Sequence, residues 1–519
     1  MFGRTKTKLI SNRKFSGTKQ KKAFKPIWII VSFVVLIGIL LLPTSNDLPV
    51  MAKCALAILA FAVIMWVTEA VTYPVSAVMI VGLIVVLIGF SPVQNLGDAL
   101  GNPSANGKAL EGDALLGTGN ALQMALSGFS GSAVALVAAA LFLATAMQVT
   151  NLHKRLALQV LSIVGNKTNR IVIGAIVVSI ILAFFVPSAT ARAGAVVPIL
   201  LGMIAAFNTS KNSKLAALLI ITAVHAVSIW NIGIKTAAAQ NIVAIGFINK
   251  SMGQDVSWGE WFLYAAPWAI IMSVVLYFVM ITVIKPEEKE IEGGNELVKA
   301  QLKELGPVSA REWRLITISI LLLFFWSTEK VLHPIDSSSI TIIALAIMLT
   351  PKIGVFTWED VEKKIPWGTV IVFGIGISLG TVLLETTAAQ WLSDKTFGLM
   401  GLNHMPLIST IALISIFNIL IHLGFASATS LSSALIPVFI ALTQTLNLGD
   451  QSIGFVLIQQ FVISFGFLLP VSSPQNMLAY GTETFTVKDF IKTGVPLTVI
   501  GYLLIILFSM TYWKWIGLI

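Results

Sequence analysis

Two copies of one hydroxyl-bearing tripeptide, Ser188-Ala189-Thr190 and Ser427-Ala428-Thr429, stand in otherwise apolar surroundings. A proline follows each copy ten residues after its serine. A hydroxyl that caps the start of a helix leaves other N–H groups of the first turn free, and the helix dipole favours negative charge there. We therefore expect Thr190 and Thr429 to cap two helices, and both tripeptides to bind anionic groups.

A second pair of polar motifs lies inside long apolar segments downstream of the tripeptides. Gln-Asn stands at 240–241 after Lys235-Thr236, and at 475–476 after Ser472-Ser473-Pro474. Prolines at 470 and 474 interrupt a helical hydrogen-bond ladder, so each segment is predicted to unwind at its midpoint and to face a tripeptide. The predicted binding residues are Ser188, Ala189, Thr190, Thr236, Asn241, Ser427, Ala428, Thr429, Ser472, Ser473, Pro474 and Asn476.

The motifs recur in one order, which indicates an internal duplication. Trp-x-Thr-Glu, at 66–69 or 326–329, precedes each tripeptide, and the tripeptide serine precedes the glutamine by 52 residues in the first half and 48 in the second. Paired interruptions at matching positions mark the substrate site in membrane transporters. Two facing donor clusters suit a ligand with two anionic ends, so a dicarboxylate is the predicted substrate. The Trp-x-Thr-Glu motifs are interpreted as structural and kept out of the site.

The composition places the chain in a lipid bilayer. Hydrophobic residues make up 56% of it and charged residues 11%, with a mean hydropathy of +0.89, which an ordinary soluble surface does not allow. Nine Lys or Arg and no acid precede residue 26, so residues 1–26 are predicted to form a basic cytoplasmic tail that does not bind nucleic acid. A single cysteine, Cys54, excludes disulfides within one chain, and no metal, cofactor or enzyme signature is predicted.

Apolar runs of membrane-spanning length fall into two similar halves. The predicted fold class is an all-α polytopic membrane protein with about 11 transmembrane helices plus two re-entrant hairpins in two inverted-topology repeats. The predicted helices of the first half are 27–43, 50–67, 74–91, 129–149, the hairpin pair 170–187 and 192–207, then 214–249 and 261–284. Those of the second half are 311–328, 336–351, 367–390, the hairpin pair 405–424 and 431–445, then 452–484 and 489–516.

Loop charge and helix length give the expected orientation. Lysines and arginines between the spans collect on one face, which places the N-terminus in the cytoplasm and the C-terminus outside the cytoplasmic membrane. Helices of roughly 16 residues are marginal for crossing a bilayer, so the paired helices are expected to re-enter. An odd number of crossings separates the two Trp-x-Thr-Glu motifs. The halves are therefore expected to be inserted upside down relative to each other, with their tripeptide tips meeting near the midplane.

The residues resemble the divalent anion/sodium symporters, also called INDY-type carboxylate transporters. The similarity runs from about Trp66 onward and is most specific at 464–477, Ser-Phe-Gly-Phe-Leu-Leu-Pro-Val-Ser-Ser-Pro-Gln-Asn-Met, where the family has Ser-x-x-Phe-x-x-Pro-x-x-x-x-x-Asn. Segments 187–194 and 125–160 are most similar to its exchanger branch, with bacterial citrate/succinate and plastid 2-oxoglutarate/malate translocators. The resemblance implies a homodimer in which a mobile transport domain moves past a fixed scaffold domain in an elevator motion.

The resemblance also implies a division of the chain into a scaffold and a transport domain. The expected segments are the basic tail 1–26, a first scaffold segment 27–165, a first transport-domain segment 170–249, a scaffold helix 261–284, a cytoplasmic linker 285–310, a second scaffold segment 311–392, a second transport-domain segment 405–484 and a C-terminal scaffold helix 489–519.

The tripeptides depart from the family at their central residue. Ser-Asn-Thr tips bind carboxylates and help to build sodium sites in the family, whereas Ala189 and Ala428 stand here. Alanine offers no side-chain oxygen to a hard cation. Lys235 and His422 lie deep in apolar segments, where an ionisable group indicates function because leaving it unpaired is costly. Both are predicted to supply fixed positive charge where symporters hold sodium.

The predicted function is exchange of C4 and C5 dicarboxylates without sodium. A fixed cation makes return of the empty carrier costly, so only the loaded carrier crosses readily. A sodium-coupled symporter that uses backbone oxygens is the nearest alternative. An anion channel is a remoter one, because broken helices with hydroxyl tips build an occluding site instead of a ring-lined pore. No enzyme is expected, since no nucleophile, base and orienting group converge.

Overall fold

The computed structural model describes residues 26–43, 47–93, 104–105, 108–109, 114–206, 213–286, 289–290, 293–402 and 405–519. Helices dominate this part of the chain, and one small ribbon pairs β1 (Ser104–Ala105) with β2 (Lys108–Ala109). The predicted all-α class is confirmed. Apart from Pro26, the basic tail expected at 1–26 lies outside the described residues.

The helices follow the predicted order with several additions. The first half contains α1 (Pro26–Leu41), α2 (Val50–Thr68), α3 (Tyr73–Leu83), α4 (Thr118–Leu126), α5 (Ser132–Val149), α6 (Leu152–Val164), α7 (Thr168–Phe185), α8 (Ala189–Ala206), α9 (Lys214–Gly233), α10 (Ala239–Met252) and α11 (Trp258–Val283). The rest contains α12 (Gly294–Glu304), α13 (Ala310–Thr328), α14 (Ser337–Leu349), α15 (Trp358–Val361), α16 (Trp367–Glu385), α17 (Ala388–Phe397), α18 (Leu407–His422), α19 (Ala428–Thr445), α20 (Ser452–Ile463), α21 (Pro474–Tyr480), α22 (Val487–Met510) and α23 (Tyr512–Trp515).

Three of the predicted long helices are divided in the structure. Segments 214–249 and 452–484 unwind at the short 3₁₀ turns Lys235–Ala237 and Pro470–Ser472, which confirms the predicted midpoints. The single helix expected at 367–390 is wrong, because Thr387 adopts a left-handed backbone with φ of 61°. That residue ends α16 and turns the chain into the separate helix α17.

Eight described helices or helix stretches are long and apolar enough to cross a membrane. They are α2, α5, α7, α9, α11, α16, α19 and the stretch from α22 through α23, and the shorter apolar helices are α1, α3 with its π-helical extension, α8, α14 and α18.

The linker predicted at 285–310 contains a helix, α12, which packs against α6 and α8. Arg155 of α6 holds the end of this linker, with Nε 2.6 Å from Glu312 Oε1 and Nη1 donating to Gly306 O at 2.9 Å.

Corresponding elements of the two halves pack reciprocally. Helix α3 of the first half contacts α16 of the second, and α14 of the second contacts α5 of the first. In the same way α8 packs on α21, while α19 packs on α10. Reciprocal pairs of this kind are expected for duplicated halves related by a pseudo-twofold axis. The centre is α9, where every residue from Leu215 to Gly233 is buried.

Candidate substrate-binding site

Each tripeptide lies where one hairpin helix ends and the next begins, and its serine caps the second helix. Ser188 Oγ accepts a hydrogen bond from Ala191 N at 3.3 Å, and Ser427 Oγ accepts one from Ser430 N at 3.3 Å. The prediction that the threonines cap these helices is therefore wrong. Serine and threonine both cap well, so the sequence alone did not decide between residues two positions apart.

The displaced threonines are free to meet a ligand. Thr190 and Thr429 lie in the first turns of α8 and α19, and Thr190 is exposed while Thr429 is half-buried. Neither hydroxyl has a hydrogen-bond partner within the described part of the chain. Ala189 and Ala428 are half-buried beside them and contribute only backbone groups to these tips.

The two helix breaks are stabilised in the same way. Asn241 Nδ2 donates to Asn231 O at 2.6 Å, and Asn476 Nδ2 donates to Gly466 O at 2.8 Å. In each half the asparagine after the break therefore reaches back ten residues, to Asn231 near the end of α9 and to Gly466 just beyond the end of α20. The bond satisfies a carbonyl that the interrupted helix leaves unpaired, and it explains why an amide stands at this position.

The neighbouring glutamines join the two breaks to each other. Gln240 Nε2 donates to Ser464 Oγ at 3.2 Å, and Gln475 Nε2 donates to Ser228 Oγ at 3.2 Å. Each glutamine thus bonds to the broken helix of the opposite half. Our site prediction included the asparagines and omitted these glutamines, although the doubled Gln-Asn pair was already evident in the sequence.

Both hairpins also meet the first break. Ser432 of α19 donates through Oγ to Gln460 Oε1 at 2.8 Å and lies 3.2 Å from Gln240 O, and Gln460 Nε2 donates to Asn241 Oδ1 at 3.4 Å. From the other side, Arg192 of α8 donates to Ala237 O at 3.0 Å. A continuous set of hydrogen bonds therefore connects the two hairpin helices through residues of the first break.

Arg192 is the most unusual group in this network. It is completely buried, and its Nη2 donates to Asn231 Oδ1 as well as to Ala237 O. Its Nε and Nη1 have no hydrogen-bond partner, and it forms no ion pair with any described carboxylate. Arginine stays protonated in proteins, so a positive charge lies one turn beyond the first tip without an acidic counter-charge.

The second break contains several buried polar atoms that lack hydrogen-bond partners within the described part of the chain. Ser473 Oγ and Asn476 Oδ1 are unpartnered, and Gly466 lies close to both side chains. In the adjoining second tip the buried Ser430 Oγ is also unpartnered. His422, in the helix that leads to this tip, lies with Nε2 3.3 Å from Ser472 O, while its Nδ1 has no partner.

Residues at the start of α3 adjoin the second tip. The Tyr73 hydroxyl donates to Glu69 Oε1 at 3.0 Å and lies near Ser427. Glu69 ends the first Trp-x-Thr-Glu motif, which our interpretation kept out of the site. The duplication of that motif was a signal of the same kind as the duplicated tripeptide.

The remaining predicted residues are Thr236, Pro474 and Lys235, which lie in or next to the two breaks. Thr236 Oγ1 accepts a hydrogen bond from Trp258 Nε1 at 3.2 Å, and Pro474 is the first residue of α21. Lys235 Nζ donates to Val256 O at 2.6 Å. Lys235 lines a cavity that it shares with Glu329 and that the tripeptides do not line.

Comparisons with known proteins agree over almost the whole chain. A family model described as the sodium:sulfate symporter transmembrane region matches residues 23–519. A membrane protein of Cupriavidus necator is 48% identical over 482 residues, which cover 93% of this chain and 91% of that protein. The citrate/succinate antiporter of Escherichia coli is 24% identical over 91% of this chain and 95% of its own length. The sodium-dependent dicarboxylate transporter SdcS of Staphylococcus saprophyticus is 24% identical over 95% of this chain and 93% of its own length.

Proposed function

This chain belongs to the sodium:sulfate symporter transmembrane family, and from that premise we propose that it exchanges C4 and C5 dicarboxylates across the cytoplasmic membrane without sodium. The family and two of the relatives named above are transporters, so the protein is a membrane transporter and not an enzyme. The names of two relatives, a citrate/succinate antiporter and a dicarboxylate transporter, support a substrate with at least two carboxylates.

The buried charge of Arg192 carries the exchange proposal. Its Nε and Nη1 are unpartnered, and it joins the first hairpin to the first break without an acidic neighbour in ion-pair contact. Lys235 and His422, 3% and 2% exposed, add basic groups to the first break and second hairpin. A doubly negative ligand compensates the buried charges of Arg192 and Lys235, whereas an empty carrier would carry them uncompensated through the bilayer. Exchange follows because only the loaded carrier moves readily.

The unsatisfied groups of the second break and tip are proposed to bind the other end of the ligand. Ser473 Oγ and Ser430 Oγ are hydroxyls that donate to a carboxylate, and the free first-turn N–H groups of α19 add donors with a favourable dipole. A ligand with two carboxylates spans from this neutral cluster toward the positive first break. This arrangement favours a dicarboxylate over a ligand with one charged end.

The hydrogen bonds across the halves support a single moving unit. We assign residues 170–249 and 405–484 to this transport domain, because the crossed glutamine bonds and the Ser432 bonds join them. The scaffold comprises 27–165, 261–284, 311–392 and 489–519, with 285–310 as its cytoplasmic linker. We further propose re-entrant hairpins, an elevator motion, a homodimer, a cytoplasmic N-terminus and an external C-terminus.

A sodium-coupled dicarboxylate symporter is the second candidate, favoured by the name of the SdcS relative. It requires sodium ligands from backbone carbonyls, because Ala189 and Ala428 supply no side-chain oxygen. Sodium dependence separates the two functions.

Counterflow in proteoliposomes tests the proposal. Vesicles that contain the purified protein are loaded with unlabelled succinate or left empty, and uptake of labelled succinate is followed with sodium or with choline outside. We expect rapid uptake only into loaded vesicles and the same rate in both salts. Uptake into empty vesicles driven by a sodium gradient would establish the symporter instead. Uptake that never saturates with substrate would indicate a channel.

A further inference from the structure

A cavity of about 600 Å³ lies between the first break and the turn that joins α13 to α14. Lys235 lines it from the break, and Glu329 and Asp336 line it from the turn. Lys235 and Glu329 are only 3% and 5% exposed. Two opposite charges, one in each half of the chain, are therefore withdrawn from solvent around one space.

A strap formed by residues 253–258, which runs from the end of α10 to the first residue of α11, contacts both charged residues. On one side Lys235 Nζ donates to Val256 O of the strap at 2.6 Å. On the other side the backbone N–H of Trp258 points to Glu329 Oε2 at 3.4 Å. The strap thus forms a hydrogen bond with each of the two residues and orients both.

Glu329 is held in place by hydrogen bonds that it accepts from Trp258 and Ser337. Ser337 donates to it through both its backbone N–H, at 3.3 Å from Oε1, and its hydroxyl, which bonds Oε2. No lysine or arginine among the described residues forms a contact ion pair with Glu329. Lys235 shares the cavity with Glu329 and Asp255, and both carboxylates attract it.

We propose that Glu329 is the counter-charge of Lys235 in the empty carrier and that the bound dicarboxylate takes over this role. The inference rests on the exchange function proposed above, in which Lys235 belongs to the transport domain and Glu329 to the scaffold. Movement of one past the other separates two buried charges, which is costly unless a new partner replaces the old one. The dianion supplies that partner, so Glu329 acts as a positioning residue that holds the empty carrier in place.

The other charges around the cavity are poorly placed for this role. Lys330 and Glu260 form an ion pair with Nζ 2.9 Å from Oε2, but their side chains are 43% and 40% exposed, so solvent screens them. Asp255 is exposed. Asp336 accepts hydrogen bonds from the first turn of its own helix and is exposed.

The substitution Glu329→Gln tests the inference through net flux. Vesicles loaded with labelled succinate are diluted into buffer with or without unlabelled succinate. Because the variant loses the interaction that retains the empty carrier, we expect efflux without external substrate to rise about tenfold, while exchange stays within about twofold of wild type. Asp336→Asn is the matched control: it removes a charge from the same cavity, retains a good N-cap, and should leave both rates unchanged.

A double-substitution cycle keeps the test decisive if Glu329→Gln inserts poorly. Lys235→Met alone is expected to raise net efflux, and adding Glu329→Gln to it should change net efflux no further. The inference is overturned if Glu329→Gln exchanges normally with wild-type net efflux, or if it still alters net efflux in the Lys235→Met background. Rapid net efflux from the wild type would instead reject the exchange function itself.

Discussion

The two helix breaks share one backbone design and differ in how completely their polar groups are satisfied. Asn241 and Asn476 make the same bond to a carbonyl ten residues earlier. At the first break the asparagine Oδ1 accepts from Gln460 Nε2 at 3.4 Å. At the second, the corresponding Oδ1 has no partner, and neither has Ser473 Oγ.

This difference indicates that the two breaks contribute different groups to ligand binding. A buried polar group without a partner costs about 1–3 kcal/mol, so a cluster of them is expected where a ligand or ordered water binds. The first break has Ala237-Ala238 where the second has Ser472-Ser473, and it carries the buried charges instead. We infer that the first break supplies positive charge on a rigid frame, and that the second supplies adaptable donors.

Replacement of the buried arginine gives the largest expected effect. Arg192→Met removes the positive charge and leaves Asn231 Oδ1 and Ala237 O without this donor. Charged hydrogen bonds contribute about 1.5–3 kcal/mol each, so we expect succinate counterflow to fall about 100-fold or more. Counterflow in proteoliposomes with equal amounts of inserted protein measures the loss.

The second half provides the control for that change. Leu431 occupies the corresponding position after the second tip and is fully buried in apolar contacts. Leu431→Met conserves volume and should lower counterflow less than about threefold. Equal losses in the two variants would show that the first break has no special electrostatic role.

The crossed glutamines should differ in their contributions to stability. Ser464 has Gln240 as its one hydroxyl partner in the described part of the chain, whereas Ser228 also donates to Val224 O at 3.0 Å. Gln240→Leu therefore leaves a buried hydroxyl unsatisfied and should cost about 2 kcal/mol of unfolding free energy, against about 1 kcal/mol for Gln475→Leu. Denaturation in detergent micelles measures both, and a larger loss for Gln475→Leu would contradict the asymmetry.

Removal of an unpartnered hydroxyl from the second break should affect binding and spare the fold. Ser473→Ala deletes an Oγ that has no protein partner, so unfolding should change by less than about 0.5 kcal/mol while the succinate KM rises about tenfold. Ser179→Ala, at a buried serine that bonds its own helix, is the control and should leave KM unchanged. An unaltered KM in Ser473→Ala would remove the second break from the ligand site.

Much of this architecture was predictable because it repeats. The tripeptides predicted the two helix pairs and the Gln-Asn motifs predicted the two helix breaks. The prolines at 470 and 474 predicted the second break independently. The duplicated Gln-Asn and Trp-x-Thr-Glu motifs also indicated the glutamine hydrogen bonds between the two halves and the contacts of the two glutamates. Our prediction included neither. Glu69 reaches the second tip through Tyr73, and Glu329 reaches the first break through the strap.

Other features depend on three-dimensional neighbours that no local pattern specifies. The sequence around Arg192 does not specify its partners, and only packing against α9 shows that they are Asn231 and Ala237. The division of 367–390 arises from one left-handed residue, Thr387. Threonine has no preference for that conformation, so hydropathy predicted a single helix.

The smallest expected effect distinguishes serine from threonine at the first tip. Ser188 Oγ accepts from Ala191 N, so Ser188→Ala should lower unfolding free energy by about 1 kcal/mol, the usual value of an N-cap. Thr190→Val keeps the shape of an exposed side chain without a protein partner and should change stability by less than about 0.5 kcal/mol. Denaturation in detergent compares the two variants. If Thr190→Val were the more destabilising, the cap would lie at the threonine and the hydroxyl assigned to the ligand would be structural.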